Sequence, residues 1–470
     1  MEVIGLNPLN DENLVPELQK RVKEGRLSFI SEDCREQISD LDLSEEEKQL
    51  GHESALDLWQ PLVEDAVTYL KMSDPREWSE KSGEPSTLEE KNSLKPFGIE
   101  KLNEYFIRFI EFEKILYGAE KYYREHTLHV FRVWMLGALL LDDWFQAGEY
   151  PCVEFFAYVS KRTGKPVEEL IDSQEIQAMW CIIALSHDLG YPLQKVDKIN
   201  EQTRIMLRQY ARVNLQDLNF DVPQPHQFIN DFILKFISSQ TIFEDEYRQQ
   251  SEPKQRELPD KERVFRTHVQ AKYYLKYSKS LEDFEHGIFS SVILMKNLTY
   301  FLESDYDMDE LKPLDFKDAK QCAIRREILR AIACHTCEEI YHIHPDTLGF
   351  VLILCDELQN WGRPAFEEMR IAQSSPSVAR LMKFNSREVE YELDLPGDKN
   401  ELREWTRGIF QRLHKILRVA VDASDRKCTC KITIKSKDGL TDKYEFSFKP
   451  EEKQKVQFLK DNHSWNPWKD

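Results

Sequence analysis

The sequence predicts a mostly α-helical protein that ends in a small α+β unit. Through most of the first 380 residues, apolar side chains recur every three to four positions, which is the spacing of amphipathic helices. After Phe384 the pattern changes, because the stretch from Arg387 to Leu395 alternates with the period of a half-buried strand. No earlier segment alternates for long enough to predict a strand. We therefore expect an all-helical core followed by a C-terminal β-α-β-β unit.

Polar and charged stretches divide the sequence into three regions. Residues 1–95 contain amphipathic stretches separated by polar, proline-containing segments, and they are predicted to form an N-terminal helical extension. Residues 96–380 form the predicted core, in which the stretch 224–263 is interpreted as an insertion because much of it is charged. Residues 385–470 form the predicted C-terminal unit and its tail.

Apolar spacing predicts the individual helices and strands. Pro61 is expected to kink or divide the first predicted helix, because proline removes a backbone donor. The predicted helices are 52–69, 99–116, 122–141, 196–219, 262–279, one that begins at His286, 320–335 and 346–359. The C-terminal unit is predicted to contain strand 387–395, helix 400–422 and strands 427–435 and 443–448, in an antiparallel or mixed sheet.

The charge and the cysteines restrict the class of protein. A formal net charge of −20 argues against a broad nucleic-acid interface, because phosphate contacts need clustered lysines and arginines. A small phosphorylated substrate stays compatible with this charge, since it responds to the local field of a bound metal ion. No apolar run approaches the roughly 20 residues of a membrane span, and no secretory signal is visible. The nine cysteines are scattered, which is typical of reduced thiols, so we expect a cytoplasmic protein without membrane contact.

The sequence is organised around residues 180–193, Trp-Cys-Ile-Ile-Ala-Leu-Ser-His-Asp-Leu-Gly-Tyr-Pro-Leu. An apolar run leads to the adjacent pair His187 and Asp188, and Gly190 and Pro192 then stop the helix. Ionisable groups at the mouth of a buried helix are costly unless something compensates them. A divalent cation can compensate them, and imidazole together with carboxylate suits Zn, Mn or Fe.

Four further segments offer the same donor types, each within its own apolar stretch. His126 and His129 are three residues apart, so they share one helix face. His286 and His335 follow in two later segments. Asp356 lies near the end of an almost wholly apolar helix, where its charged form is disfavoured unless it is paired. In order, the set reads His, His-Asp, His, His, Asp.

This ordered set resembles the HD superfamily of metal-dependent phosphohydrolases over residues 95–375. The flanking motifs agree as well, namely HTxxV at His126, HDLGYP at His187, EHGxxSS at Glu285 and CDELxxWGR at Cys355. The form is also similar to stand-alone bacterial HD proteins. The resemblance implies that the metal ligands are His126, His129, His187, Asp188, His286, His335 and Asp356. It further implies catalytic roles for Asp188, His129 and His286, and substrate contacts from Lys195 and Arg363.

The activity that the resemblance implies is hydrolysis of a phosphoester or phosphoanhydride bond in a nucleotide-like substrate, through a metal-activated water. One or two divalent ions would serve, with Mn, Mg, Zn, Fe and Co all compatible, and Asp188 would bridge two ions. The Glu-Asp pair of guanosine tetraphosphate hydrolases and the downstream His-His pair of cyclic-dinucleotide phosphodiesterases are absent, so no substrate is assigned. A protein partner or a second copy of the chain could dock on the C-terminal unit.

The roles of four histidines stay open at the level of the sequence. Only one of His126 and His129 is needed as a ligand, and the other is a proton donor or a histidine at the edge of the core. His286 and His335 are ligands of a second metal, contacts to phosphate, or interior histidines whose hydrogen bonds are satisfied.

The remaining polar candidates are less specific. Lys195 and Arg363 are phosphate clamps or members of structural ion pairs, and His342 and His344 are interpreted as loop residues beside Pro345. Two alternative functions are a nucleotide sensor without catalysis and an interaction scaffold, in which the C-terminal unit and the acidic surface would be the working parts.

Overall fold

The protein is mostly helical and carries a small sheet near its C-terminus, as the sequence predicts. The computed structural model describes residues 6–43, 48–72, 98–119, 126–210, 224–244, 264–302, 313–340, 343–359, 361, 378–385, 388–395, 429–436, 441–449, 455–460 and 463–464. All structural statements below concern these residues.

The α-helices are numbered along the chain. They are α1 (Asp11–Lys23), α2 (Glu32–Ser39), α3 (Lys48–Met72), α4 (Ile99–Ala119), α5 (Thr127–Gln146), α6 (Glu154–Thr163), α7 (Ser173–Ser186), α8 (Tyr191–Tyr210), α9 (Gln224–Ile237), α10 (Ala271–Glu282), α11 (His286–Asn297), α12 (Phe316–Cys334) and α13 (Leu348–Leu358). Pro61 lies inside α3 and does not divide it.

The strands are numbered in the same way. They are β1 (Ser239–Phe243), β2 (Phe265–Val269), β3 (Val378–Asn385), β4 (Glu388–Leu395), β5 (Thr429–Ser436), β6 (Thr441–Lys449), β7 (Lys455–Lys460) and β8 (His463–Ser464). β1 and β2 form one sheet, and β3 to β8 form the other.

The chain divides into two compact units, each built from separate segments. The first comprises Met1–Trp59, Glu120–Cys152 and Ile340–Asp470, and the second comprises Gln60–Ala119 and Val153–Glu339. The first unit therefore contains α1, α2, α5, α13 and the C-terminal sheet. The second contains α4, α6 to α12 and the sheet of β1 and β2.

In the first unit, α5 is the most deeply buried helix. Every residue from Thr127 to Asp142 is buried, and α5 packs on α1 and α13. Arg21 of α1 is buried as well, and its guanidinium donates to the Asp142 carboxylate at 2.9 Å and to the Leu139 carbonyl oxygen at 2.7 Å. Because a buried guanidinium is costly without such partners, these bonds specify how α1 docks on α5.

In the second unit, α7 is buried from Glu175 to Ser186. It packs on α12, α12 packs on α11, and α11 packs on α8, which also contacts α4. An α-helix that is apolar on all sides must be surrounded in this way. This succession of contacts brings the end of α7, the start of α11 and the end of α12 close to one another.

Two strands interrupt the predicted helical core. β1 pairs with β2 in antiparallel register, with Thr241 opposite Thr267. The prediction of a helix that begins at Glu262 is wrong for this stretch, because α10 begins only at Ala271. In β2, Phe265 and Thr267 are buried and alternate with less buried neighbours, but five residues are too few for the period to be distinctive. The strand depends on its pairing with β1 rather than on local propensity.

The C-terminal sheet has six described strands in the order β3 to β8. β4 and β5 are parallel, and the other neighbouring strands are antiparallel, so the sheet is mixed. β4, β5 and β6 confirm the three predicted strands, whereas β3, β7 and β8 were not predicted. The predicted helix 400–422 lies outside the described residues. The N-terminal segment joins the edge of this sheet, since the Leu9 N–H donates to the Ala379 carbonyl oxygen at 2.8 Å.

Two general expectations can be compared with the described residues. No helix among them has both the length and the apolar character to cross a membrane. Seven cysteines are free thiols, and all of these but Cys152 are buried, namely Cys34, Cys181, Cys322, Cys334, Cys337 and Cys355.

Candidate metal centre

The site in the second unit begins at the turn that follows α7. The Asp172 carboxylate accepts hydrogen bonds from two main-chain N–H groups of the first turn, and the Glu175 carboxylate accepts one from the Asp172 N–H, which fixes where α7 begins. The helix is buried up to Ser186, so it ends in the interior. His187 is its C-terminal cap and Asp188 follows, with 0% and 4% of their surfaces exposed.

The turn from His187 to Gly190 packs directly on the start of α11. A Cβ atom on Gly190 would lie 2.3 Å from the His286 carbonyl oxygen, so only glycine fits there. The Ser290 hydroxyl accepts a hydrogen bond from the Gly190 N–H at 2.8 Å and donates one to the His187 carbonyl oxygen at 2.6 Å. Together these contacts place His286 next to Asp188.

The end of α12 packs against the same turn of α11. A Cβ atom on Gly287 would lie 2.7 Å from a main-chain oxygen of α12 and 2.9 Å from His335 Nδ1. The Gly287 N–H donates to the Thr336 hydroxyl at 3.1 Å, and the Ser291 hydroxyl donates to a carbonyl of α12 at 2.9 Å. This close approach brings His335, the C-terminal cap of α12, against His286.

Four side chains therefore meet in the second unit, and we call His187, Asp188, His286 and His335 the His–Asp cluster. His286 Nε2 lies 3.2 Å from Asp188 Oδ1 and 3.1 Å from His335 Nε2. His335 Nε2 lies 4.0 Å from the same carboxylate oxygen, and His187 Nε2 lies 3.4 Å from Asp188 Oδ2. One carboxylate thus faces three imidazole nitrogens.

The opposite ring nitrogens of these histidines are held by hydrogen-bond acceptors. His187 and His335 each place Nδ1 close to the main-chain carbonyl oxygen three residues earlier, at 2.7 and 2.6 Å. His286 Nδ1 lies 2.7 Å from Gln194 Oε1. Since a main-chain carbonyl oxygen only accepts, Nδ1 carries a proton in His187 and in His335, whereas the glutamine amide beside His286 offers both an acceptor and a donor. When neutral, His187 and His335 then carry the lone pair on Nε2, toward Asp188.

This arrangement of donors fits a divalent cation. Donor atoms that share an ion at about 2.1 Å lie about 3.0–3.4 Å apart, according to octahedral or tetrahedral geometry. Three of the four separations, 3.1, 3.2 and 3.4 Å, agree with that spacing, and the fourth, 4.0 Å between His335 and Asp188, is longer. A cation would also satisfy the Nε2 lone pair of His335, which faces His286 Nε2 at 3.1 Å, and would compensate the buried Asp188 carboxylate.

Thiols are poor candidates for this ion. Burial raises the pKa of the Cys334 thiol, next to His335. Among the described residues, the groups of donors that lie close enough together to hold an ion contain only histidines and aspartates, so the available donors are nitrogen and oxygen. Such a donor set suits Zn, Mn or Fe better than a soft ion.

The first unit holds a second group of predicted site residues. His129 is fully buried on α5, and its Nε2 lies 2.9 Å from Asp356 Oδ1 at the end of α13. The Asp356 side chain is 27% exposed. His126 is buried at the start of α5, with its ring centroid 6.1 Å from that of His129. His129 is thus the member of this histidine pair that contacts the carboxylate.

The predicted substrate contacts have different outcomes. The Lys195 ammonium lies over the Tyr191 ring, 4.9 Å from its centroid, and this ring packs edge-on against His286 at 5.3 Å. Arg363 and His342 lie outside the described residues. His344 is exposed, in agreement with its interpretation as a loop residue.

Sequence reasoning missed the residues that orient the histidines. Gln194 contacts His286, and Gln359 contacts His129. The Ser290 hydroxyl joins the turn from His187 to Gly190, called the His–Asp turn below, to α11. Ser290 and Gln359 lie within the motifs EHGxxSS and CDELxxWGR, so position in a motif is the signal that could have indicated them. Gln194 carries no such signal.

Comparison with protein families, with curated proteins and with solved structures finds no match for this chain. The resemblance to the HD superfamily therefore depends on the motifs alone and stays a hypothesis.

Proposed function

We propose that this protein is a metal-dependent phosphohydrolase that cleaves a phosphoester or phosphoanhydride bond of a nucleotide-like substrate. The observation that carries the proposal is the convergence of three imidazole Nε2 atoms on the buried Asp188 carboxylate, with each Nδ1 held by an oxygen acceptor. An interior that gathers these donors gains little from them unless a cation is bound.

The residues of the cluster have distinct proposed roles. Bound there, a divalent cation would lower the pKa of a coordinated water toward neutrality. Asp188, His187 and His335 hold the cation, since all three are almost completely buried. His286 has the most exposed side chain of the four, at 16%, so it is the one that a substrate can reach. It is positioned to bind the cation or to protonate the leaving group.

Lys195 is the described cation best placed to contact a phosphate. Its contact with Tyr191, which in turn packs on His286, puts an ammonium group beside the exposed edge of the cluster. In a chain with a net charge of −20, a local positive group of this kind favours an anionic substrate at that edge. Loss of this charge in Lys195→Gln is expected to raise KM more than it lowers kcat.

Metal analysis combined with a hydrolysis screen tests the proposal. The full chain is loaded in turn with Mn²⁺, Zn²⁺ and Fe²⁺, its metal content is measured, and turnover is assayed on nucleotides and phosphodiesters. We expect Asp188→Asn, which keeps the side-chain volume, to bind metal at least about 100-fold more weakly and to lose turnover. Asp33→Asn makes the same chemical change at an exposed position of α2 and serves as the control.

The outcomes separate the alternatives. Metal binding and turnover that survive in Asp188→Asn would refute the assigned site. Metal binding by the wild type without turnover on any substrate would favour a nucleotide sensor, and absence of both would favour a scaffold. His286→Gln that keeps its metal but loses turnover would make His286 a proton donor rather than a ligand.

A further inference from the structure

Gln359 and Trp361 belong to the motif CDELxxWGR, and the proposed function gives neither residue a role. In the first unit, His129 Nδ1 lies 2.6 Å from Gln359 Oε1, while His129 Nε2 lies 2.9 Å from Asp356 Oδ1. His129 is 0% exposed and Gln359 is 1% exposed. Both ring nitrogens of this histidine are therefore engaged in the interior.

The orientation of the Gln359 amide follows from its second hydrogen bond. Gln359 Nε2 donates to the Trp361 carbonyl oxygen at 2.7 Å. An NH₂ group can donate to that oxygen, whereas the amide oxygen would be repelled by it, so Oε1 must face His129. Because Oε1 only accepts, Gln359 holds a proton on His129 Nδ1. Nε2, which faces Asp356, is then the nitrogen that the neutral ring leaves for a cation.

Trp361 is itself anchored within the first unit. Its indole N–H donates to Asp11 Oδ1 at 2.7 Å, and Arg132 donates to the same carboxylate from Nε at 3.0 Å and from Nη2 at 2.5 Å. Arg132 lies on α5, three residues after His129. The hydrogen bonds thus run from Asp356 through His129, Gln359, Trp361 and Asp11 and return to α5.

We infer that Gln359 is a positioning residue that holds His129 with its proton on Nδ1, and that Trp361 and Asp11 hold Gln359 in turn. The inference rests on the proposed function only where it concerns a second cation, in the first unit, for which His129 Nε2 and Asp356 are then the ready donors. Without the Gln359 oxygen, the Nδ1 proton loses its acceptor. The tautomer with the proton on Nε2, donated to Asp356, then becomes the favoured one and would block a cation.

Nitrogen NMR of the full chain labelled with ¹⁵N-histidine tests the tautomer directly. In the wild type at neutral pH we expect His129 Nδ1 to carry a proton, and His129→Gln assigns its signals by their loss. In Gln359→Met, which has a similar volume but no acceptor, we expect Nδ1 to lose that proton and Nε2 to carry it. Gln359→Glu keeps an oxygen acceptor and should retain the Nδ1 proton, while the exposed His344→Gln is the control.

Metal binding gives a second readout that separates this inference from the proposed function. For the second ion, bound by His129 and Asp356, we expect Mn²⁺ to bind Gln359→Met about 10- to 100-fold more weakly than the wild type, and Gln359→Glu to recover most of the loss. A tautomer that changes while Mn²⁺ affinity stays constant would support the positioning role and refute His129 as a ligand. A bare Nδ1 in the wild type would overturn the inference, even if Gln359→Met fails to fold.

Discussion

Replacing Gly190 with alanine should separate the His–Asp turn from α11. The added Cβ would lie 2.3 Å from the His286 carbonyl oxygen and 2.7 Å from the Ser290 nitrogen, whereas contacts under 3.0 Å essentially never occur. These neighbours are main-chain atoms, so no rotation of a side chain relieves the clash. The turn must move away from α11 by more than half an ångström, and it carries Asp188 with it.

A substitution at a second glycine, Gly164, provides a control with a similar loss of folding stability. Overpacking of this kind costs about 1–3 kcal/mol. Gly164 caps α6 in the left-handed region, at φ 74°, and a Cβ there would meet nothing within 4 Å. Gly164→Ala is therefore expected to lose about 1–2 kcal/mol through backbone strain alone. The two variants should have similar free energies of unfolding but different geometries at the His–Asp cluster.

Urea unfolding and equilibrium dialysis against Mn²⁺ compare the two variants. We expect both to be destabilised, and only Gly190→Ala to bind the ion more weakly, by at least about 10-fold, because a shift of this size disturbs ligand geometry. Equal Mn²⁺ affinities in the two variants would refute the reasoning, since the close packing of the turn on α11 would then have no bearing on the ion. A Gly190→Ala protein with wild-type stability would refute the steric argument itself.

Two glutamates near Arg330 should give opposite pH dependences in urea unfolding. Burial opposes ionisation of Glu154, but the charges of Arg330 and Arg326 outweigh it and lower its pKa below 4.5. The half-exposed Glu154→Gln should thus lose on the order of 1 kcal/mol at neutral pH, and the loss should disappear as the pH falls through the lowered pKa. Burial instead raises the pKa of Glu327 above 4.5. The contribution of protonated Glu327 to folding stability is therefore present below pH 4.5 and is lost as the pH rises. Glu327→Gln should therefore stabilise the protein at neutral pH and lose that advantage in acid, and equal signs for the two variants would contradict both assignments.

The helices were predictable because their apolar periodicity is a local property. α7 is the clearest case, since its apolar run, its capping residue Asp172 and its end at the His–Asp pair are all contiguous in sequence. Other strands could not be predicted from the sequence, and the reasons are physical. β3 contains a bulge near Met382, which shifts the buried positions from Leu381 to Phe384 and breaks the period of two. β1 and β2 are short and depend on pairing between segments far apart in sequence.

The candidate site was predictable only in part. His187 and Asp188 stand out because charged groups at the end of an apolar run need compensation, and that argument requires no knowledge of the fold. The acceptors that orient the histidines are different, because a glutamine is an ordinary surface residue until packing places it beside a ring nitrogen. Gln194 contacts His286 in the folded protein, although 92 positions separate the two residues in the sequence. No periodicity could have paired them.

The motif EHGxxSS is explained by packing at least as much as by chemistry. His286 offers the donor nitrogen, while Gly287 admits α12 at a distance that a Cβ atom would prevent. The Ser290 hydroxyl reaches the His–Asp turn, and the Ser291 hydroxyl reaches a carbonyl of α12. Each of these positions joins α11 to one of the two helix ends that carry the other donors. A chain that kept the histidine but replaced Gly287 or Ser290 would keep the ligand type and lose the geometry, so the whole motif, and not the histidine alone, is the unit from which a metal centre can be predicted.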